Sequence, residues 1–214
     1  MGKFKNLLAI AAMSLAIICI WTGGRVTSHK ILAAQEEGAG APAIGGDFTL
    51  TDQNGRTRHA SDFRGRLMLI YFGYTHCPTV CPVSVADMSK AMDALGAKAD
   101  DVAPLFITVD PTRDTPPALK NYLSNFNERM IGLTGTPGQI KSVAAEYKAY
   151  FAAQGAPWSE ETPGHARMNG MHTNYPVDHS SFIYLMDKNG KYVQLFPYNA
   201  GPQKIAAAIT SLLK

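Results

Sequence analysis

Cysteine is scarce in this 214-residue chain: of three, only Cys77 and Cys81 lie outside the hydrophobic N-terminus, too few to build a disulfide framework. The fold must therefore rest on an apolar core, for which the length and a 46% hydrophobic content suffice. Most of the chain also lacks a surplus of positive charge. Four of its 20 Lys and Arg (Lys3, Lys5, Arg25 and Lys30) stand in residues 1–34, which hold no acid, leaving 16 basic residues against all 17 acidic ones. A near-neutral globular part argues against nucleic acid as a partner. No internal repeat is visible, and no apolar run reaches the roughly 20 residues of a comfortable membrane span.

The N-terminus does carry an apolar stretch over residues 7–21, broken only by Ser14, preceded by Lys3 and Lys5 and closed by Gly23-Gly24. Its length leaves spanning and cleavage both open. The absence of an Ala-x-Ala site directly after it favours an uncleaved signal anchor, since Gly23-Gly24 is a poor substitute and Ala33-Ala34 lies well beyond. Basic residues flank the run on both sides, so the positive-inside rule gives little orientation. The short basic N-terminus still argues for a domain on the far side. Cys19 follows Ile18, where lipid attachment would want a small residue, and reads as a buried apolar cysteine. We therefore expect an anchor over residues 1–24, a flexible tether over 25–45 with a reach of roughly 25 Å, and a folded domain over 46–214.

Within that domain, residues 48–50 and 56–59 flank Asp52-Gln53-Asn54-Gly55, a hairpin signal. A buried strand ends at Phe72, and a helix is expected from about 83 to 95. The unalternating Leu105-Phe106-Ile107 marks a second buried strand over 102–109, stopped by Asp110-Pro111. A helix over 116–126, capped by Asp114 or Thr115, a short strand over 130–133 and an amphipathic helix over 137–151 come next. A hairpin of 181–186 with 192–196 and a helix over 202–213 close the chain. This order predicts an α/β, thioredoxin-like fold with an added N-terminal β-hairpin and an inserted βα unit. The 24 residues 152–175, rich in Gly, Pro and His, fit no element, and a loop of that length is usually functional or disordered.

Cys77-Pro78-Thr79-Val80-Cys81-Pro82 follows the first buried strand directly. Two thiols at i and i+4 near a helix start lie close to unpaired backbone N–H groups and the positive end of the dipole, which favours thiolate. Thiolates exchange with disulfides or bind soft metals, and the choice turns on a third ligand. In a thioredoxin-like domain the loop before the last hairpin faces the dithiol, and here it holds His179. Two thiolates with one imidazole suit Cu(I), can hold Cu(II), and would take Zn(II) in the absence of copper. His76 abuts the pair but points away in an extended segment, which fits packing or support of a ligand better than ligation. Asp178 is a weak partner for His179 on the same ground. Asp110, Arg113 and Asp114 read equally as turn-making and helix-capping residues or as part of a functional motif. His29 and His59 carry no functional signal. His165, Met168, Met171 and His172 fall within eight residues and are either a transient copper-collecting cluster or ordinary loop residues.

Three ordered motifs carry a resemblance: Tyr71-Phe72-Gly73-Tyr74-Thr75-His76-Cys77-Pro78-Thr79-Val80-Cys81-Pro82, Val109-Asp110-Pro111-Thr112-Arg113-Asp114-Thr115-Pro116, and Val177-Asp178-His179-Ser180-Ser181-Phe182-Ile183-Tyr184-Leu185-Met186-Asp187. From about Gly46 onward the chain resembles the Sco/SenC family. The resemblance implies a membrane-tethered copper protein that helps build the binuclear copper centre of cytochrome c oxidase subunit II, with Cys77, Cys81 and His179 as metal ligands. Thr79 departs from it, standing where an acidic residue is more usual, which alters local charge and not a ligand. The expected function is a copper metallochaperone on a bacterial inner membrane, its domain in the periplasm. Its expected partners are the oxidase subunit and other periplasmic copper carriers or thiol reductants. The alternative is a thiol-disulfide oxidoreductase in which Cys77 and Cys81 form a redox-active pair that reduces the oxidase subunit's copper-binding cysteines. A peroxidase using Arg113 to steady a thiolate is a third reading.

Overall fold

The computed structural model describes residues 43–153 and 176–213. The anchor expected over 1–24, most of the tether, His29 and the 165–172 cluster lie outside the described residues. Among the described residues no helix is long and apolar enough to cross a membrane.

A seven-stranded sheet carries the fold, in the order β2-β1-β5-β4-β3-β8-β9. Its strands are β1 Thr49–Asp52, β2 Thr57–His59, β3 Leu67–Gly73, β4 Val102–Thr108, β5 Ile131–Thr134, β8 Ile183–Met186 and β9 Tyr192–Phe196. The central strands β3, β4 and β5 run parallel, while β1 and β8 pair antiparallel on either side of them. Every residue of β3 and β4 is buried, as expected of parallel strands covered on both faces. Helices α1 Val80–Leu95, α2 Pro116–Leu123, α3 Pro137–Glu146 and α4 Pro202–Leu212 supply the covering layers. The β3–α1–β4 crossover followed by the antiparallel β8–β9 hairpin is the thioredoxin-like order. The β1–β2 hairpin and the α2–β5 unit are the expected additions to it. Both hairpins turn on an aspartate: Asp52 Oδ1 accepts the N–H groups of Asn54 and Arg56, and Asp187 Oδ1 those of Asn189 and Lys191.

The expected elements differ from those found in three places that bear on the dithiol. Helix α1 begins at Val80, three residues before the expected start. Pro82 looks like a barrier in the sequence, but it is the third helical residue, where no N–H is needed. Helix α3 stops at Glu146 and not near Phe151. Lys148 takes φ 54° and the Ala149 N–H reaches back to the Ala144 carbonyl, a left-handed helix closure made without glycine. The chain released there forms β6 Phe151–Ala153, which takes in the first two residues of the expected 152–175 loop. It pairs antiparallel with β7 Val177–His179 in a separate two-stranded sheet. His179 therefore stands on a short strand, opposite Phe151, and not in an open loop.

Candidate metal centre

Cys77 lies in the turn between β3 and α1, and its N–H donates to the Tyr74 carbonyl at 3.3 Å. Thr79, at the N-cap position of α1, makes no side-chain cap bond. The Cys77 sulfur takes that role, accepting the Cys81 N–H at 3.4 Å. An anion at this place gains from the unpaired N–H groups and the dipole of a 16-residue helix. Cys77 is pulled down to about 3, chiefly by the hydrogen bond from the Cys81 thiol, against the opposing effect of burial. The backbone N–H groups of Cys81 and Thr79 contribute further in the same direction. Cys81 is fully buried and is pushed up, first by holding its proton toward Cys77 and second by desolvation. The pair is thus asymmetric: a partly buried thiolate beside a fully buried thiol.

His179 completes the set. Its Nδ1 lies 3.1 Å from the Ser180 carbonyl, which can only accept, so Nδ1 carries the proton and Nε2 presents its lone pair. That Nε2 is 3.3 Å from the Cys81 sulfur. The ring is held edge-on by Tyr74 at 5.8 Å and Tyr71 at 6.1 Å. Tyr74 Oη also accepts the Val177 N–H at 3.4 Å, tying the strand that carries His179 back to the β3 end. On the other side, Ser180 and Tyr150 exchange backbone and side-chain hydrogen bonds. Among the described residues, Cys77, Cys81 and His179 are the one metal-capable group, with donor atoms all within 4.8 Å of one another. Two metal–sulfur bonds of about 2.3 Å span at most roughly 4.6 Å, so a single ion reaches all three donors with little adjustment. Two soft sulfurs and one borderline nitrogen fit copper or zinc and do not suit magnesium or calcium.

The remaining candidates divide. His76 stays outside the group: its Nδ1 donates to Thr75 Oγ1 at 3.0 Å, and that hydroxyl donates in turn to Asp114 Oδ1 at 2.6 Å. Asp114 is not a helix cap. Thr115 occupies that position, and Asp114 is buried, accepting also the Thr75 N–H and the Thr108 hydroxyl, so that it pins the dithiol turn to the end of β4. Burial raises Asp114 above the usual carboxylate range despite these donors. Arg113 pairs with buried Asp110 and lies 5.6 Å over the Tyr74 ring, bracing the residue that braces β7. Asp178 is exposed on the face of β7 opposite to His179, and His59 is engaged with Thr49 Oγ1 at 3.0 Å.

Sequence reasoning missed Gly73. A Cβ there would lie 2.7 Å from Tyr71 Cε1, 3.0 Å from the Cys81 sulfur and 3.1 Å from Phe106 Cε2. The glycine is what lets the buried sulfur approach the strand end. Its signal in the sequence was its place at the close of an apolar strand, immediately ahead of a dithiol.

The sequence model of the SCO1/SenC family matches residues 36–214. An SCO2-like protein of Rickettsia felis is 44% identical over 164 residues, covering 76% of this chain and 73% of the relative. The protein sco1 of Schizosaccharomyces pombe is 36% identical over 216 residues, covering 99% of this chain and 77% of the relative. The copper-bound structure of Bradyrhizobium japonicum ScoI is 40% identical, with a TM-score of 0.68 over 79% of this chain and 99% of that one.

Proposed function

The chain belongs to the SCO1/SenC family, and from that premise we propose that it is a membrane-anchored copper metallochaperone. It binds one copper ion through Cys77, Cys81 and His179 and delivers it to the binuclear centre of cytochrome c oxidase subunit II. Residues 1–24 hold it in a bacterial inner membrane, with the domain in the periplasm. The observation that carries the reading is the convergence of two cysteine sulfurs and the free Nε2 of His179. A dithiol exchanger needs no imidazole lone pair there. The bound copper of the 40% identical ScoI supports the choice of metal. Copper is cargo here, and the protein's task is to hold it tightly and then yield it. Fully buried Cys81 excludes water and buffer ligands from its side of the site, whereas the less deeply buried Cys77 is the side from which an incoming thiolate gains access.

Thiol exchange is the second reading, and one observation favours it: the thiolate of partly buried Cys77 beside the thiol of fully buried Cys81 is the asymmetry of an attacking and a resolving cysteine. His179→Ala separates the two. On the chaperone reading it weakens copper retention against a chelator by more than about 100-fold and leaves Cys77–Cys81 disulfide formation intact. Parental copper retention with lost exchange toward an oxidised partner would overturn the chaperone reading in favour of the oxidoreductase.

A further inference from the structure

The turn between β4 and α2 carries Arg113, a charged side chain that is only 10% exposed. Burying a guanidinium is costly unless it is paired, and its partner here is the fully buried carboxylate of Asp110. The turn that presents the pair is itself locked. The Val109 N–H donates to the Gly73 carbonyl at 2.8 Å, the Asp110 N–H to the Thr108 hydroxyl at 2.9 Å, and the Asp114 N–H to the Asp110 carbonyl at 3.0 Å. A buried ion pair is seldom the most stabilising way to fill such a space, so its placement calls for a reason. The guanidinium carbon lies 5.6 Å from the centroid of the Tyr74 ring. That ring meets the ring of His179 edge-on, at 5.8 Å and 88°. Its hydroxyl accepts the Val177 N–H of β7 at 3.4 Å. An unbroken line of contacts thus runs from the end of β4, through Arg113 and Tyr74, to the strand that bears the imidazole.

Resting on the metal-centre reading above, we propose that Arg113 is the positioning residue for His179 and, through it, sets how strongly the site holds Cu(II) relative to Cu(I). It acts through Tyr74: the attraction of the guanidinium for the ring face holds the ring in place, and the ring and its hydroxyl hold the imidazole and its strand. The two sulfurs are held by other means. Cys81 is carried by α1, and the turn bearing Cys77 is fixed to Asp114 through Thr75. Loosening Arg113 therefore frees the nitrogen ligand and leaves the dithiol assembled. Soft Cu(I) is held chiefly by sulfur, whereas Cu(II) calls for the imidazole nitrogen. One oxidation state of copper thus feels Arg113 more than the other.

The test compares the full chain with two variants. Arg113→Lys keeps a positive charge for Asp110 and gives up the flat guanidinium over Tyr74. The joint change Asp110→Asn/Arg113→Met removes both charges together, so that no buried charge is left alone. Each protein is loaded under argon with Cu(I) or Cu(II) salt, and retention is measured against a graded series of chelators. The nitrogen hyperfine coupling of bound Cu(II) is recorded, as are disulfide formation and Cys77 alkylation in the metal-free protein. In Arg113→Lys, Cu(II) retention is expected to fall about 10-fold, with a smaller loss for Cu(I), a weaker nitrogen coupling and parental thiol chemistry. The loss disappears when the change is added to His179→Ala, because a residue that acts through the imidazole then has nothing to position. Parental retention in Arg113→Lys with such a coupled loss in the joint variant assigns the effect to the positive charge and supports the proposal. An equal loss in the His179→Ala background, or equal losses of Cu(I) and Cu(II), makes Arg113 a general support of the fold and overturns it. Slowed Cys77 alkylation places its action on the thiolate and overturns it too. Parental Cu(II) retention in both variants overturns the proposal while leaving the metal centre standing. A parent chain that binds no copper overturns both readings.

Discussion

Adding one methyl group at Gly73 tests how tightly the strand end and the buried sulfur are fitted. In Gly73→Ala the new Cβ meets Tyr71 Cε1 at 2.7 Å, closer than real Cβ contacts come, and the Cys81 sulfur and Phe106 Cε2 at 3.0 and 3.1 Å. None of the three has room to withdraw: Tyr71, Cys81 and Phe106 are each fully buried, and the rings pack against His179, Tyr122 and one another. Overpacking of this kind costs about 1–3 kcal/mol. For a domain of this size that corresponds to a fall in Tm of roughly 3–10 °C, read by thermal unfolding of the metal-free chain. The sulfur must also yield by a few tenths of an ångström, so copper retention falls in the same variant. A double-variant cycle with Cys81→Ala isolates the sulfur's share, because removing the sulfur relieves one of the three contacts and makes the double change less costly than the sum of the single ones. Strict additivity would refute the claim that Gly73 is there to admit Cys81. An unchanged Tm would refute the close fit altogether.

Other expectations follow from the same geometry. Because Cys77 is held down to about 3, its alkylation rate should stay nearly flat from pH 8 to pH 5, where an ordinary thiol loses about tenfold per unit; a tenfold fall per unit, followed by mass spectrometry of the modified peptide, would contradict the thiolate assignment. Copper loading should protect both cysteines from the same reagent. Asp114 titrates in the folded protein above its ordinary value, so its stabilising contribution is complete below the unfolded-state carboxylate pKa and is lost as pH rises through the folded one. Asp114→Asn should flatten the decline of Tm over that window, and a Tm that keeps its parental pH slope would assign the slope to another group. Tyr74→Phe keeps the ring against His179 but removes the acceptor for the Val177 N–H, costing about 1–3 kcal/mol if that amide is left buried and unpaired. Parental stability in denaturant titration would mean the amide finds another partner.

The parts of the fold legible in the sequence were those governed by local pattern. The unbroken apolar runs in β3 and β4, the Asp-x-x-Gly turns and the Thr-Pro starts of α2 and α3 each specify their element with no help from distant residues. Cys77 and Cys81 were legible because so few cysteines exist, and His179 because the element order places its segment opposite them. The support around His179 was not. Phe151 reads as the end of an amphipathic helix, and only the left-handed turn at Lys148 and the pairing with β7 make it a strand residue. Tyr74 and Tyr71 read as ordinary members of an apolar strand end. Their contacts with β7 and with Cys81 join residues about 100 and 10 positions apart, beyond the reach of any periodicity.

The same long-range contacts bear on how a site can be both retentive and able to give up its cargo. Every support of His179 comes from outside its own strand: Tyr74 from the end of β3, Phe151 and Tyr150 from the chain after α3, and Ser180 fixing its tautomer. Cys81, by contrast, is fixed by the sheet, the helix and the space at Gly73. On the proposed function the buried sulfur and the imidazole are therefore carried by different elements, helix α1 and a two-stranded ribbon. The ribbon joins the core through buried Val177 and through Phe151 packed against it. On the proposed function release then begins on the side of His179 and partly buried Cys77, with Cys81, held between sheet and helix, the last ligand to let go.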